Sequence, residues 1–208
     1  MIVLLSDPRV HAVPVRESGE PLVRLGEEFG SARALVRRSL ADRLRAARAD
    51  LPRGIGIRVQ EGHRSPLDQA GIIRDYSARL RRIHPAIDAD RLRTLTSRFV
   101  SPLEVAPHVA GAAVDLTLVD ADGLDLDLGT PIDATPEQSD GGCYFAATGI
   151  GDVAVRNRAL LGNALAPAGF VNYPTEWWHW SYGDRYWALM TSAPAAVFGP
   201  VDALEVVA

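Results

Sequence analysis

Two stretches of the chain carry side chains whose types and spacing could do chemistry. The first is Glu176-Trp177-Trp178-His179-Trp180, which sets a carboxylate and an imidazole three positions apart among three indoles. A neutral imidazole nitrogen is a standard zinc donor, and a carboxylate close by can take a proton from an activated water. Spacing of three lets both side chains reach one site across a turn or a twisted strand, whereas a flat strand would oppose them. Three tryptophans would build a low-dielectric wall, which strengthens metal–carboxylate attraction and can raise a carboxylate pKa toward neutrality. The same residues also read as an aromatic core cluster whose His finds an ordinary hydrogen bond, and this segment alone leaves both readings open.

The second stretch is Ala106-Pro107-His108-Val109-Ala110-Gly111-Ala112-Ala113-Val114-Asp115-Leu116. On a strand, Val114, Leu116 and Leu118 face one way while Ala113, Asp115 and Thr117 face the other. Asp115 is thereby held between apolar neighbours that fix its backbone, as a well-placed ligand requires. His108 precedes the strand, where a loop can turn its ring toward the same face, and the small residues between leave room for a metal and a substrate. Many His and Asp pairs at this separation are a surface imidazole and a turn-capping carboxylate, so the pair alone decides little.

These side chains need elements to position them. Ser31 reads as the cap of a helix in which Val36, Leu40, Leu44, Ala47 and Leu51 recur at helical spacing, ended by Pro52 and Gly54. Ile55, Ile57 and Val59 alternate with Gly56, Arg58 and Gln60 as a half-buried strand. Ser65 and Pro66 start a second helix running to about Ile83, and Asp88 caps a third reaching about Phe99. Val109 to Val119 reads as a strand, Asp122-Gly123 as its turn, and Leu124, Leu126 and Leu128 as the alternating return. A helix over about Val153 to Ala166 and a final strand within the aromatic-rich region Tyr173 to Tyr182 complete the pattern. Helices flanking a small, largely antiparallel, hairpin-containing sheet predict an α+β fold, one domain over 1–208, with 1–30 as a peripheral N-terminal wrap.

Read in order, the motifs resemble those of the D-alanyl-D-alanine dipeptidases of the VanX type. Gly62-His63-Arg64-Ser65-Pro66, then His108 with six residues before Asp115, then Glu176-Trp177-Trp178-His179 match that family's sequence of motifs. The likeness spans about Leu51 to Trp187. It includes Leu128-Gly129-Thr130-Pro131-Ile132-Asp133, Asn157-Arg158, and Ala168-Gly169-Phe170-Val171-Asn172. The resemblance implies one zinc ion per chain, held by His108, Asp115 and His179. It implies Glu176 as general base, Arg64 as stabiliser of the developing oxyanion, and Asp133 near the substrate as an ammonium partner. The implied zinc site lies at the sheet face, and the implied reaction is hydrolysis of D-alanyl-D-alanine to two D-alanine molecules, in cell-wall precursor metabolism or glycopeptide resistance. A D,D-carboxypeptidase or endopeptidase acting on peptidoglycan stem peptides is the nearest rival, and a non-catalytic zinc-binding protein a more distant one. The chain departs from the family pattern at Ala106, where Ser is usual, at Ala110, where Arg is usual, and at His63, where Tyr is common. Each change removes a polar group from the pocket's edge or alters it.

Composition narrows the remaining classes. The 208 residues suffice for one packed domain, with 47% apolar and 23% charged residues. A net charge of −4 with no single-sign tract gives no reason to expect nucleic acid or an anionic membrane as partner. The opening residues lack the features of a signal peptide and no run is long enough to span a bilayer, so a cytoplasmic protein is expected. The implied partner is a small dipeptide, and self-association is left open. Lone Cys143 reads as an idle or buried thiol. Asp120, Asp122, Asp125 and Asp127 read as a solvated hairpin, since they lack the spacing and closing Glu of an EF-hand loop.

Overall fold

The computed structural model describes residues 2–201. Its elements run α1 (Pro8–Ala12), β1 (Leu22–Arg24), β2 (Leu35–Arg37), α2 (Arg38–Ala49), β3 (Gly56–Glu61), α3 (Pro66–Ile83), α4 (Ala89–Thr96), β4 (Ala113–Val119), α5 (Asp152–Leu165), β5 (Val171–Asn172), β6 (His179–Ser181) and α6 (Arg185–Thr191). The fold is α+β. A four-stranded antiparallel sheet of order β3-β4-β6-β5 lies at its centre, and β1 and β2 form a separate two-stranded ribbon. None of the helices among the described residues is long and apolar enough to cross a membrane.

Local chemistry starts the helices beside the site. The Ser65 hydroxyl accepts the Asp68 N–H and Pro66 fills the first turn of α3, while Asp88 accepts the Arg91 N–H to begin α4. One face of the sheet is apolar. Ile57 and Val59 of β3 and Val114, Leu116 and Leu118 of β4 are buried in one cluster with Leu40, Ala41, Leu44 and Ala47 of α2 and Leu161, Ala164 and Leu165 of α5. Burying such aliphatic side chains contributes roughly 1.5–3 kcal/mol each, which makes β4 a rigid rail for whatever its other face carries.

The structure corrects three element boundaries. The first long helix does not begin at Ser31. Residues 35–37 form β2 against β1, and the helix starts at Arg38 without a side-chain cap of its own; instead the Glu20 carboxylate accepts the Ser39 N–H from outside. Val36, which fits the helical spacing, is buried from a strand. The third helix stops at Thr96, and the chain turns through Ser97 and Phe99. Strand β4 starts at Ala113 because 107–112 make a tight turn, with Gly111 at φ +63°. The region Tyr173 to Tyr182 holds the expected final strand as β6, which follows a turn and pairs back onto β5.

Two further expectations are modified. The return from Leu124 to Leu128 pairs briefly, through the Val119–Asp125 bridge and the bonds from Asp120 N–H to the Leu124 carbonyl and from Leu126 N–H to the Leu118 carbonyl. Asp127 then spends its carboxylate on the Gly129 N–H, which turns the chain away. The opening thirty residues, expected to lie peripherally, contribute Leu5, Val10, Leu22, Leu25 and Phe29 as buried side chains.

Candidate active site

Asp115 occupies the middle of β4, and antiparallel pairing places its neighbours. His179 of β6 stands opposite it on one side and Glu61 of β3 on the other. Directly opposed residues share a sheet face, so one row across three strands carries a carboxylate, a carboxylate and an imidazole. The register shifts between Val59 and Glu61. An extra residue in a strand bends it and re-aims side chains, and this one brings Glu61 into the row.

His108 joins from the turn before β4. Its Nε2 stands 3.3 Å from Asp115 Oδ1 and 3.1 Å from His179 Nδ1, and His179 Nδ1 stands 3.1 Å from the same carboxylate oxygen. All three residues are buried. His108 Nδ1 lies 2.7 Å from the Gly62 carbonyl, which accepts its hydrogen and leaves Nε2 as the electron-pair donor. Three electron-pair donors converging at this distance can share a proton or hold a cation. Tetrahedral zinc with ligands at about 2.0–2.2 Å sets ligand atoms roughly 3.3–3.5 Å apart. The observed triangle is slightly tighter, and its His, Asp, His donor set fits that ion.

Glu176 lies in the turn linking β5 to β6. Its N–H donates to the Tyr173 carbonyl, its own carbonyl accepts from His179 N–H, and the Asn172 amide donates to the carbonyls of both Glu176 and His179. This turn resolves the spacing of three: it brings Glu176 Oε2 to 3.8 Å from His179 Nδ1. The indoles behind the turn are pinned as well. Trp177 Nε1 donates to Thr130 and Trp180 Nε1 to the Trp177 carbonyl, while Trp177 and Trp178 meet edge to face at 5.5 Å. Burial drives the Glu176 carboxyl well above the usual carboxylate range, Asp115 and Asp133 add to the rise, and Arg64 opposes it. Burial would raise Asp115 too, but His108 and His179 outweigh it and hold that carboxyl far below its ordinary range.

Arg64 follows the end of β3. It grips Glu61 through Nε, at 2.7 Å, and Nη2, and its Nη1 donates to Gln69 Oε1 at 2.8 Å. Asp133 sits on the loop after Leu128 in a left-handed conformation, φ +64°. Burial raises its carboxyl, and Asp115 and Glu61 raise it further. The loop is organised by Arg158, a fully buried guanidinium that donates to the carbonyls of Leu128, Gly142 and Tyr144.

All six residues singled out in the sequence thus line one cavity of about 250 Å³: Arg64, His108, Asp115, Asp133, Glu176 and His179. Sequence reasoning missed several of their neighbours. Glu61, Ser101 and Tyr173 line the same cavity, as does Leu5 from the opening segment. Gln69 is 1% exposed and stands behind Arg64. Only Gln69 left a trace in the sequence, as an amide one turn into a capped helix. Cys143 is buried, and burial pushes its thiol up. The hairpin carboxylates serve turns and an ion pair: Asp120 accepts from the N–H groups of Asp122 and Leu124, and Asp125 pairs with Arg58.

Comparison with known proteins follows the same line. The family model described as D-Ala-D-Ala dipeptidase, Peptidase M15, matches residues 30–194. The chain is 38% identical over 95 residues to a D-alanyl-D-alanine dipeptidase of Synechocystis sp., covering 42% of this chain and 38% of that protein. It is 30% identical over 109 residues to a D-alanyl-D-alanine dipeptidase of Enterococcus faecalis, covering 50% of this chain and 51% of that one. These alignments therefore span about half or less of the relatives' own lengths. Among solved structures, VanYB in complex with D-alanine-D-alanine aligns at TM-score 0.47 and 18% identity, over 85% of this chain and 87% of that one.

Proposed function

Because the chain belongs to the D-Ala-D-Ala dipeptidase family, we propose that it is a zinc-dependent peptidase cleaving the free dipeptide D-alanyl-D-alanine into two molecules of D-alanine. The observation that carries this reading is the triangle of His108, Asp115 and His179 donors at 3.1–3.3 Å, with the Glu176 carboxylate 3.8 Å from His179 in the same buried cavity.

His108, Asp115 and His179 would hold one zinc ion, which when bound acts as a Lewis acid and brings the pKa of water from 15.7 to roughly 7. Three protein ligands leave a coordination position open, as catalytic zinc sites do. Glu176 takes the proton of the attacking water and passes it to the amine nitrogen as the C–N bond breaks. A carboxyl raised by burial holds a proton more readily than an ordinary carboxylate, which suits it to taking the proton and passing it on. Arg64 has five N–H donors and spends three on Glu61 and Gln69. The other two are available to the carbonyl oxygen as it gains charge, and the Glu61 clamp fixes them before the reaction begins. Asp133 accepts from the substrate ammonium. The Trp178 indole closes one wall and excludes water.

Cavity size suits a small ligand such as the free dipeptide. At about 250 Å³ the site lies below the roughly 300–1,000 Å³ of pockets that take drug-sized ligands. A cytoplasmic role in D-alanine recovery or glycopeptide resistance follows, because the free dipeptide is a precursor made inside the cell. The test compares zinc-loaded protein on free D-alanyl-D-alanine and on a stem pentapeptide ending in the same unit. The dipeptide should be cleaved much faster; equal or reversed rates would move the protein to the D,D-carboxypeptidases.

A further inference from the structure

The dipeptide proposed as substrate is a zwitterion, so its site must receive an ammonium and a carboxylate. The cavity is rich in partners for the first, and for the second, with Arg64 assigned above to the scissile carbonyl oxygen, it offers few. Glu61, Asp115, Asp133 and Glu176 all line it, and each repels a carboxylate. Of the two lining hydroxyls, that of Tyr173 is spent: it donates to the Ser97 carbonyl and accepts from the Leu5 N–H. The other belongs to Ser101.

Ser101 is held by an amide whose orientation is forced. Arg64 has only donors, so the group of Gln69 facing its Nη1 must be Oε1, at 2.8 Å. Gln69 Nε2 then faces the Ser101 carbonyl, a pure acceptor, at 2.9 Å, which agrees with that assignment. The same Nε2 also donates to Ser101 Oγ at 3.2 Å. Ser101 Oγ is therefore an acceptor toward Gln69, and its own hydrogen must point elsewhere. Among the described residues that O–H has no acceptor, while Ser101 lines the cavity. Pro102 follows and restricts Ser101 to extended backbone, which fixes the hydroxyl further.

We propose that Ser101 is a substrate-binding residue whose hydroxyl donates to the terminal carboxylate of the dipeptide, with buried Gln69 orienting Ser101 and Arg64 together as one preset wall. This rests on the dipeptidase reading above. It makes the cavity bipolar, with carboxylates for the ammonium end and a hydroxyl for the carboxylate end, and it selects a free carboxy terminus over an amide or a continuing chain.

Ser101→Ala and Ser101→Thr separate this role from a structural one. Gln69 keeps its bond to the residue-101 carbonyl in both variants, so Arg64 stays in place. With zinc-loaded protein, Ser101→Ala should raise KM for free D-alanyl-D-alanine by about tenfold or more, the worth of a hydrogen bond to a charged group, with kcat held within about threefold. Ser101→Thr should restore most of the loss. The dipeptide amide should be a poor substrate for the parent and should lose far less on the same substitution. Calorimetric binding of the dipeptide to Glu176→Gln, with and without Ser101→Ala, should show the same weakening without turnover. An active parent whose KM and binding are unmoved by Ser101→Ala refutes the assignment and leaves the dipeptidase reading intact. A fall in kcat at constant KM also refutes it, in favour of Arg64 positioning alone. A parent that neither binds nor cleaves the dipeptide refutes both.

Discussion

Replacing Glu176 with Gln separates chemistry from architecture, because nothing that builds the turn depends on the Glu176 side chain. The hydrogen bonds at this residue use its backbone N–H and carbonyl, with Tyr173, Asn172 and His179 as partners. The side chain is 6% exposed, and burial has already driven its carboxyl well above the ordinary range. Gln has the same shape and no charge to bury, so folding should be unharmed. The proposed zinc ligands His108, Asp115 and His179 are untouched. What Gln cannot do is accept the water's proton. A positioned base is worth about 10²–10⁴ in rate, so turnover should fall at least about 100-fold, a barrier rise of roughly 2.7 kcal/mol or more.

The assay measures kcat on free D-alanyl-D-alanine by D-alanine release, alongside zinc content and thermal unfolding of parent and variant. Low turnover with zinc retained and an unchanged or higher melting temperature is the expected result. Low turnover with zinc lost would instead mark Glu176 as part of the metal-holding set. Near-parental turnover with zinc bound would refute the proton-transfer role outright.

Two further outcomes follow from the ligand set and its support. Purified protein should carry about one zinc per chain, and His179→Ala should lose most of it, since two remaining ligands make a poor site; full zinc content in both His108→Ala and His179→Ala, by atomic absorption, would remove the metal assignment. Gly62→Ala should lower both stability and zinc affinity, because a Cβ there would stand 2.4 Å from the Leu35 carbonyl oxygen and the Gly62 carbonyl holds the His108 ring. The lost orientation of a metal-ligating His should weaken zinc by roughly 10–100-fold, and a chelator competition giving parental affinity would show that the Gly62 carbonyl does not set the ligand.

The candidate site was legible in the sequence and much of its scaffolding was not, and the difference has a physical cause. His108, Asp115, Glu176 and His179 announce themselves because reactive side chains among small or aromatic neighbours are poor choices for packing alone. Helix α3 was equally visible, since Ser65, Pro66 and Asp68 act within one turn of chain. By contrast, β1 and β2 have three residues each, too short for alternation to register, and each exists only because the other is there. Arg37 could not be read at all. Its guanidinium bonds the carbonyls of Glu20, Ala110 and Gly199, partners far apart along the chain. The start of α2 depends likewise on a carboxylate from Glu20. Periodicity detects a segment's own preference and carries no information about a remote partner.

The same limit explains why the ends of the site residues were harder to place than the residues themselves. A spacing of three between Glu176 and His179 is compatible with convergence only if the chain turns between them, and the turn is made by Asn172. That side chain donates to the carbonyls of Glu176 and His179 at 2.9 and 3.0 Å, tying the proposed base and a metal-binding candidate to one amide. Cross-strand pairing then does the rest: His179 faces Asp115, Asp115 faces Glu61, and Glu61 clamps Arg64. The two cross-strand steps are contacts between segments that the sequence separates by dozens of residues. A slip of one residue in β6 would turn His179 to the opposite face of the sheet. The chemistry of the site is thus specified by its residue types, and its geometry by the register of β3, β4 and β6, which the apolar face packed on α2 and α5 holds in place.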